Sequence, residues 1–294
     1  MFKRILCPTD FSDGAKHAVA VAGRLAKASN AELVLLHAWY TPPILYAGDQ
    51  AIPAAAIEAM MSGDEHVLAD TLQELARLEI RVSTRFVRGQ PGDQIVKILQ
   101  EDPLYDLVVM GTTGRAGFSR ILLGSVTEKV VRNAPCSVLA VRGTEVDRPF
   151  ARVLCPVDFA EHSKYALRLA GELASREHEP VVALLHVVDM PSHYSTEPFL
   201  SEYMRSIDTL ATQLLADSTK PLRENHHVAT TATLAVGSPI PNILAALETN
   251  PSYDLVVVGS HGRHGLARMF LGSVAEKVVR HANTPVLVAR APRS

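Results

Sequence analysis

The sequence is short of aromatic side chains. Phe, Tyr and Trp together make up 5% of it, with a single Trp. Stacking platforms for single-stranded nucleic acid draw on a richer supply. It also lacks a dominant charge sign: 29 Lys and Arg stand against 31 Asp and Glu, a formal net charge of −2. Divided after Asp147, the first half carries 15 basic and 17 acidic residues and the second half 14 of each. Neither half has the basic field that a phosphate backbone or an anionic lipid surface attracts, so neither partner is expected. No apolar run reaches about 18 residues, the length a membrane-spanning helix needs. The opening MFKRILCPTDF has two basic residues but only a short apolar run before Pro8 and Asp10, so no export signal is expected. Cysteine is scarce too: Cys7, Cys136 and Cys155 show no metal or redox spacing. Cys7 and Cys155 lie in matching apolar runs, as buried free thiols would in a reducing cytoplasm. Several motifs are missing as well. There is no GxxxxGK[ST] P-loop, no GxGxxG dinucleotide turn, no SGGxDS-type pyrophosphatase loop, and no visible Ser/His/Asp or Cys/His nucleophile set.

What the sequence does have is a repeat. The 294 residues are 47% apolar and 20% charged, a globular composition long enough for two domains of ordinary size. RILCPTDFSDGAKHAV near the start matches RVLCPVDFAEHSKYAL, and LYDLVVMG matches SYDLVVVG, both 148 residues further on. The stretch GTTGRAGFSRILLGS at 111–125 returns as GSHGRHGLARMFLGS at 259–273. A period this long means a duplicated domain rather than a solenoid. The expected domains are 1–147 and 148–294, joined near 144–150.

Each copy alternates buried strands with amphipathic helices. In the first, strands are expected at 2–7, 31–39, 81–87, 107–110 and 137–141. Helices are expected from an N-cap at Ser12, over 55–78, from Pro91 to about residue 101, and over 126–132. A Pro-rich connection, 40–53, precedes the long helix. In the second copy the strands fall at 153–155, 181–188, 228–234, 255–258 and 285–289. Its helices fall at 163–173, 199–216, 240–247 and 274–281. Alternation of this kind gives an α/β fold: two tandem, doubly wound, Rossmann-like domains, each with five parallel strands in the order 3-2-1-4-5. Such sheets bind ligands beyond the strand C-termini, where the order reverses. That places Asp10 beside Gly111 and Gly114, and Asp158 beside Gly259 and Gly262.

Each glycine stretch follows a buried strand and precedes a helix, a place where backbone N–H groups converge on an anion. Gly111, Gly114 and Gly124 are expected to adopt backbone angles closed to other residues and to let a ligand approach the main chain. Ser125 can cap the next helix or donate its hydroxyl to a phosphate. Arg115 and Arg263 can reach a phosphate or lie in solvent. Asp10 and Asp158 can cap the following helix or meet a ligand or Mg²⁺, which takes one or two carboxylates together with substrate phosphates. His37 and His186 close their second strands as hydrogen-bonded structural residues or acid–base groups. His261 and His264 flank Gly262, at a spacing that suits a metal weakly and a solvated loop or phosphate contact better. His226 and His227 read as an exposed turn. Met60, Met61 and the apolar stripe of 55–78 read as core or domain-interface packing.

The pattern G-x2-G-x9-G-S after the fourth strand, an Asp ending the first and His-Ala or His-Val ending the second resembles the universal stress protein family. The resemblance covers nearly the whole chain, as a tandem pair of that family's domains, and the glycines belong to its ATP-binding branch. It implies that a triphosphate sits on Gly111, Gly114, Gly124 and Ser125, with Val126 nearby. Met110 and Ala38 would line the adenosine pocket, and Pro8, Thr9 and Asp10 would meet adenine, ribose or a metal. In the second copy the corresponding residues are Gly259, Gly262, Gly272, Ser273 and Val274, then Val258, Val187, Pro156, Val157 and Asp158. The copies differ: Val157 replaces Thr9, Ala160 replaces Ser12, and His261 replaces Thr113, so unequal affinities are expected. Where family members often read Cys-Pro before the last strand, the first copy reads Pro135-Cys136-Ser137. Pairing of the last strands, 137–141 with 285–289, would make an internal pseudo-dimer, and a homodimer of chains can follow. The expected function is ATP (or ADP or AMP) binding, with Mg²⁺, in a cytoplasmic stress-response protein that signals to a protein partner with little turnover. The alternatives are a slow ATPase or autophosphorylating enzyme, with His261 or Asp10 and Mg²⁺ as candidates, and a nucleotide-free interaction protein.

Overall fold

The computed structural model describes residues 1–40, 52–112, 123–142, 150–188, 198–261 and 271–291, with the backbone alone over 198–207. The chain divides into two compact units, Met1–Val146 and Asp147–Ala291. Gly114, Arg115, Thr113, Gly262, Arg263 and His264 lie outside the described residues, as do most of the Pro-rich connection and the joining segment.

In the first unit the order along the chain is β1 (Arg4–Pro8), α1 (Asp13–Ser29), β2 (Glu32–Trp39), α2 (Ala54–Ala76), β3 (Arg81–Arg88), α3 (Pro91–Glu101), β4 (Leu107–Gly111), α4 (Ser125–Asn133) and β5 (Ser137–Val141). The strands are parallel and lie in the order β3-β2-β1-β4-β5. Apolar runs such as ILC and LVVM become central strands because both faces of the sheet are covered by helices. Ile5, Leu6, Leu33, Leu35 and Leu107 are fully buried there. The outer strand β3, RVSTRFVR, is mostly exposed and polar, as an edge strand with one side open should be. Helix α1 turns Ala15, Ala18, Ala22 and Ala26 inward, small side chains that let it approach the sheet closely.

The second unit repeats this with β6 (Arg152–Pro156), α5 (Glu161–Ala174), β7 (Val181–Val188), α6 (Pro198–His226), β8 (Ala229–Val236), α7 (Pro239–Thr249), β9 (Leu255–Gly259), α8 (Ser273–His281) and β10 (Val286–Ala289). Its own order is β8-β7-β6-β9-β10, all parallel. In both units the first and fourth strands are therefore neighbours, and the strand order reverses between them.

Two helices depart from expectation. Helix α6 continues ten residues past Ala216 to His226, with Pro221 inside it. Proline removes one intrahelical bond, but Leu215, Thr219 and Leu222 are buried, so packing carries the helix through. Helix α2 buries only Met61, Leu68 and Leu75, one residue every seven, so its contact stripe is narrow. Met60 is 56% exposed and belongs to no core. His227 stands in the turn after α6 with a left-handed φ of 53°, exposed as expected, while His226 is half-buried.

Candidate functional site

Two turns meet at the reversal point of the first unit. One leaves β1. Thr9 N–H donates to Leu36 O across to β2 (2.8 Å), and its hydroxyl accepts from Phe11 N–H (3.1 Å). Asp10 Oδ1 accepts from both the N–H and the hydroxyl of Ser12 (3.1 and 2.6 Å). Ser12 Oγ in turn accepts from Ala15 N–H and caps α1 (3.3 Å). Asp10 thus supports the cap at one remove, and the two residues share the task. Phe11 has a φ of 62°, a left-handed conformation that costs a bulky residue about 1–2 kcal/mol. Its ring stacks on His37, centroids 4.6 Å apart.

His37 is buried at the end of β2 and stands in contact with Phe86 on its other neighbour strand. Its Nδ1 lies 2.8 Å from Thr9 O, and a carbonyl only accepts, so Nδ1 carries the hydrogen. Its Nε2 faces Asp64 Oδ2 of α2 at 3.3 Å. Both ring nitrogens are engaged, so His37 holds the β1 turn and is not placed for acid–base chemistry. His186 repeats the first of these contacts, donating from Nδ1 to Val157 O (2.7 Å), with Phe159 at 4.5 Å and a φ of 64°.

The other turn leaves β4. Gly111 does not have the left-handed backbone the motif suggested: Gly89 and Gly237 are the described glycines with positive φ. What Gly111 needs is space. A Cβ there would stand 2.7 Å from Gly14 O and 2.8 Å from Gly14 C in the first turn of α1. Gly259 meets His162 C and O of α5 in the same way, at 2.9 and 3.0 Å. Gly124 and Gly272 are also extended rather than left-handed, with φ −61° and −64°. They are the N-caps of α4 and α8, and neither supplies a capping side chain. Gly124 N–H donates to Thr112 O, and Gly272 N–H to Ser260 O, both at 2.8 Å. Ser125 and Ser273 are the first helical residues and so are not caps; both are exposed, with Val126 and Val274 half-buried behind them. The first turn of each helix therefore presents backbone N–H groups with no intrahelical acceptor, together with the positive end of the helix dipole.

The remaining expected residues fall around these turns. Pro8 and Pro156 end β1 and β6; Met110 and Val258 are buried one residue before the glycines; Ala38 and Val187 are half-buried beside the histidines. Thr9 and Val157 are buried, and Asp10 and Asp158 half-buried. Asp158 Oδ1 accepts from Ala160 N–H (3.0 Å), but Ala160 offers α5 no side-chain cap.

Several participants escaped the sequence reading. Thr127 donates its hydroxyl to Gly111 O (2.7 Å) and ties α4 to the end of β4; the second copy has Ala275 there. Arg142 and Arg290 follow the last strands, and burial lowers the basicity of Arg142. They sit beside the glycine turns, since Thr112 N–H donates to Val141 O and Ser260 N–H to Ala289 O. In the second unit His162 of α5 lies 5.0 Å from His261, ring to ring. The arginines and the strained phenylalanines recur at the 148-residue shift, a signal that was present in the repeat.

The sequence pattern of the Universal stress protein family matches residues 1–142 and 149–290. A universal stress protein of Mycobacterium tuberculosis is 29% identical over 296 aligned residues, which cover 97% of this chain and 96% of that protein. One from Mycobacterium bovis is 30% identical over 221 residues, covering 72% of this chain and 70% of the relative. The crystal structure of a universal stress protein from Archaeoglobus fulgidus shares the fold, with a TM-score of 0.69 at 24% identity over 98% of both chains. With a duplicated five-stranded unit, a glycine-capped helix in each and a family pattern matched twice, the chain belongs to the universal stress protein family.

Proposed function

We propose that the protein is an ATP-binding regulator of the stress response, with one adenine-nucleotide site per unit and little turnover. One observation carries this reading: α4 and α8 each begin behind an extended glycine with no capping side chain, at the point where the strand order reverses. Uncapped N–H groups at such a point suit a phosphate chain. By the glycine motif, the triphosphate would sit on Gly111, Gly114, Gly124 and Ser125, and on Gly259, Gly262, Gly272 and Ser273, with Arg115 and Arg263 as further phosphate contacts. Thr9 with Asp10, and Val157 with Asp158, face the nucleoside side, next to Met110 with Ala38 and Val258 with Val187. Magnesium would be held by the phosphates, with Asp10 or Asp158 as the protein ligand. The engagement of both His37 ring nitrogens removes one candidate base from the first site, which supports the reading of little turnover. Nucleotide occupancy acts on a protein partner by favouring one arrangement of the glycine loops, and that requires different affinity for the two arrangements.

Calorimetric titration with ATP tests this on the full chain, on Gly124→Val and on Gly272→Val. Two sites in the parent and one in each variant are the expected counts. A parent that binds no ATP overturns the proposal. Formation of ADP in a single-turnover assay at a rate matching binding would replace the regulator with an enzyme.

A further inference from the structure

Between α6 and the outer strand β8 of the second unit lies a cavity of about 340 Å³. Small-molecule sites measure about 300–1,000 Å³. Leu215 and Ala216 of the helix and Ala232 and Leu234 of the strand give it an apolar lining. It is reached from solvent, since Ala216 and Ala232 are exposed, while Leu215 and Thr219 are buried beneath. One cation, Arg223, stands on its wall. Arg223 Nη2 donates to Thr219 Oγ1 (2.7 Å), and that hydroxyl gives its own hydrogen to Ala216 O (2.8 Å). A guanidinium has five N–H donors, so most of its donors are left over. Among the described residues it pairs with no carboxylate; Glu224, its neighbour along the chain, faces Lys220 instead (4.0 Å). The first unit is built differently here. Gly23 of α1 faces Leu75 and the matching Gly171 of α5 faces Leu222, so the end of α6 stands one residue off the 148-residue repeat. Thr219 and Arg223 therefore take the places of Leu72 and Ala76. Leu234 takes the place of Phe86, each paired with the histidine of the neighbouring strand. Where the first unit packs apolar side chains, the second has a smaller one in place of an aromatic ring, and a hydroxyl and a guanidinium beside it.

We infer that this groove binds a monocarboxylic acid with an unbranched apolar chain, its carboxylate on Arg223 and Thr230 and its chain along Leu215, Ala232 and Leu234. The chain of the protein reverses between α6 and β8, where Val228 N–H donates to Leu222 O (3.3 Å). Arg223 and Thr230 therefore share one end of the groove, and Thr212 and Leu234 the other. From Thr230 to Leu234 the strand rises about 13 Å, room for an extended chain of medium length. A guanidinium with donors to spare suits a planar carboxylate, which it meets with two parallel hydrogen bonds. One cation balances one negative charge. A phosphate dianion would bring a second charge and no apolar body for the floor. The groove is separate from the glycine turns. Those leave the C-terminal ends of their strands, whereas Arg223 stands beside Thr230 at the start of β8. The acid site and the nucleotide sites therefore stand or fall independently.

The test is calorimetric titration of the full chain, without nucleotide, with octanoate below its micelle concentration. One saturable site is the expected result. Butyrate has the head without the chain, octylamine the chain with the opposite charge, and inorganic phosphate an anion without a chain. Each should bind at least about tenfold more weakly than octanoate, since each lacks either the buried methylenes or the charge-assisted hydrogen bonds. Arg223→Gln exchanges one good helix former for another at an exposed position and should weaken octanoate about tenfold or more. Ala232→Phe puts a ring into the groove and should abolish binding. Unchanged thermal midpoints show that both variants are folded. Should Ala232→Phe fail to fold, methyl NMR of the parent decides, the Leu215 and Leu234 signals shifting along one saturable curve as octanoate is added. No octanoate binding in the parent, equal affinity in Arg223→Gln, binding undiminished in a folded Ala232→Phe protein, or unmoved Leu215 and Leu234 methyls overturns the site. Phosphate that binds as tightly as octanoate overturns the assignment to an acid with an apolar chain.

Discussion

A methyl group on Gly111 would press against the Gly14 carbonyl of α1, and one on Gly259 against that of His162. Those contacts are backbone against backbone and cannot yield by a rotamer change. At Gly124 the nearest atom to such a methyl is Thr112 O at 3.1 Å, and a φ of −61° is open to any residue. The glycines of one motif therefore serve different ends. Gly111→Ala should lower the unfolding free energy of its unit by about 1–3 kcal/mol, an overpacking effect. Gly124→Ala should cost less, about 1 kcal/mol, the ordinary preference for Gly over Ala at an N-cap. Urea titration followed by circular dichroism compares them, and equal losses would contradict the distinction. His261 gives a second prediction at this scale. Its folded pKa is lowered, so its contribution to stability is fully present above the unfolded value and is lost as pH falls through that value toward the folded one. His261→Thr should therefore flatten the loss of thermal stability of the second unit below about pH 6.5. A parent and variant that fall in parallel would show that the ring does not titrate with folding.

Helix α1 and helix α5 are matched elements with unmatched caps. Ser12 holds the Ala15 N–H and is itself held by Asp10. Ala160 has the right extended backbone, φ −74° and ψ 164°, but no oxygen to offer. Exchange of the two residues isolates the cap. Ser12→Ala should destabilise the first unit by about 1 kcal/mol, and Ala160→Ser should stabilise the second by up to about the same amount. Denaturant midpoints of the two single variants measure both. A gain at Ala160→Ser without a loss at Ser12→Ala would mean that Asp10 alone caps α1. Under the proposed nucleotide reading, the uncapped starts of α4 and α8 have a use: a side chain over those N–H groups would compete with an anion for them.

Across the whole molecule the thiols offer a probe of opening. Cys7, Cys136 and Cys155 are all buried, and burial pushes the Cys7 and Cys155 thiols far above their ordinary pKa. Cys7 lies in β1 and Cys155 in β6, each in the middle of its own unit's sheet, so each reports that unit. Reaction with a thiol reagent should be slow in the native protein and complete in denaturant, with rates set by local or global opening. If nucleotide binds both units, ATP should slow labelling at both cysteines, since a ligand of the native state suppresses opening. Mass spectrometry of timed samples separates the two. Protection of one cysteine alone would confine binding to one unit.

The strand order and its reversal point were legible in the chain itself. Runs such as LVVM and LVVV are too short for helices and too apolar for an open face, and right-handed crossovers leave few ways to connect them. The duplication was legible because its spacing is constant, and the caps because Ser12 and Ala160 differ in one oxygen. Other features needed the folded chain. Gly111 looks like a residue chosen for its backbone freedom, yet its role is set by α1, a helix nearly a hundred residues away in sequence. Asp64 shows no relation to His37 until α2 lies against β2. His162 and His261 become neighbours only when α5 packs over the end of β9. Periodicity and turn chemistry are properties of neighbouring residues and travel with the sequence. Close approach and charge clustering depend on distances between elements, which only packing fixes.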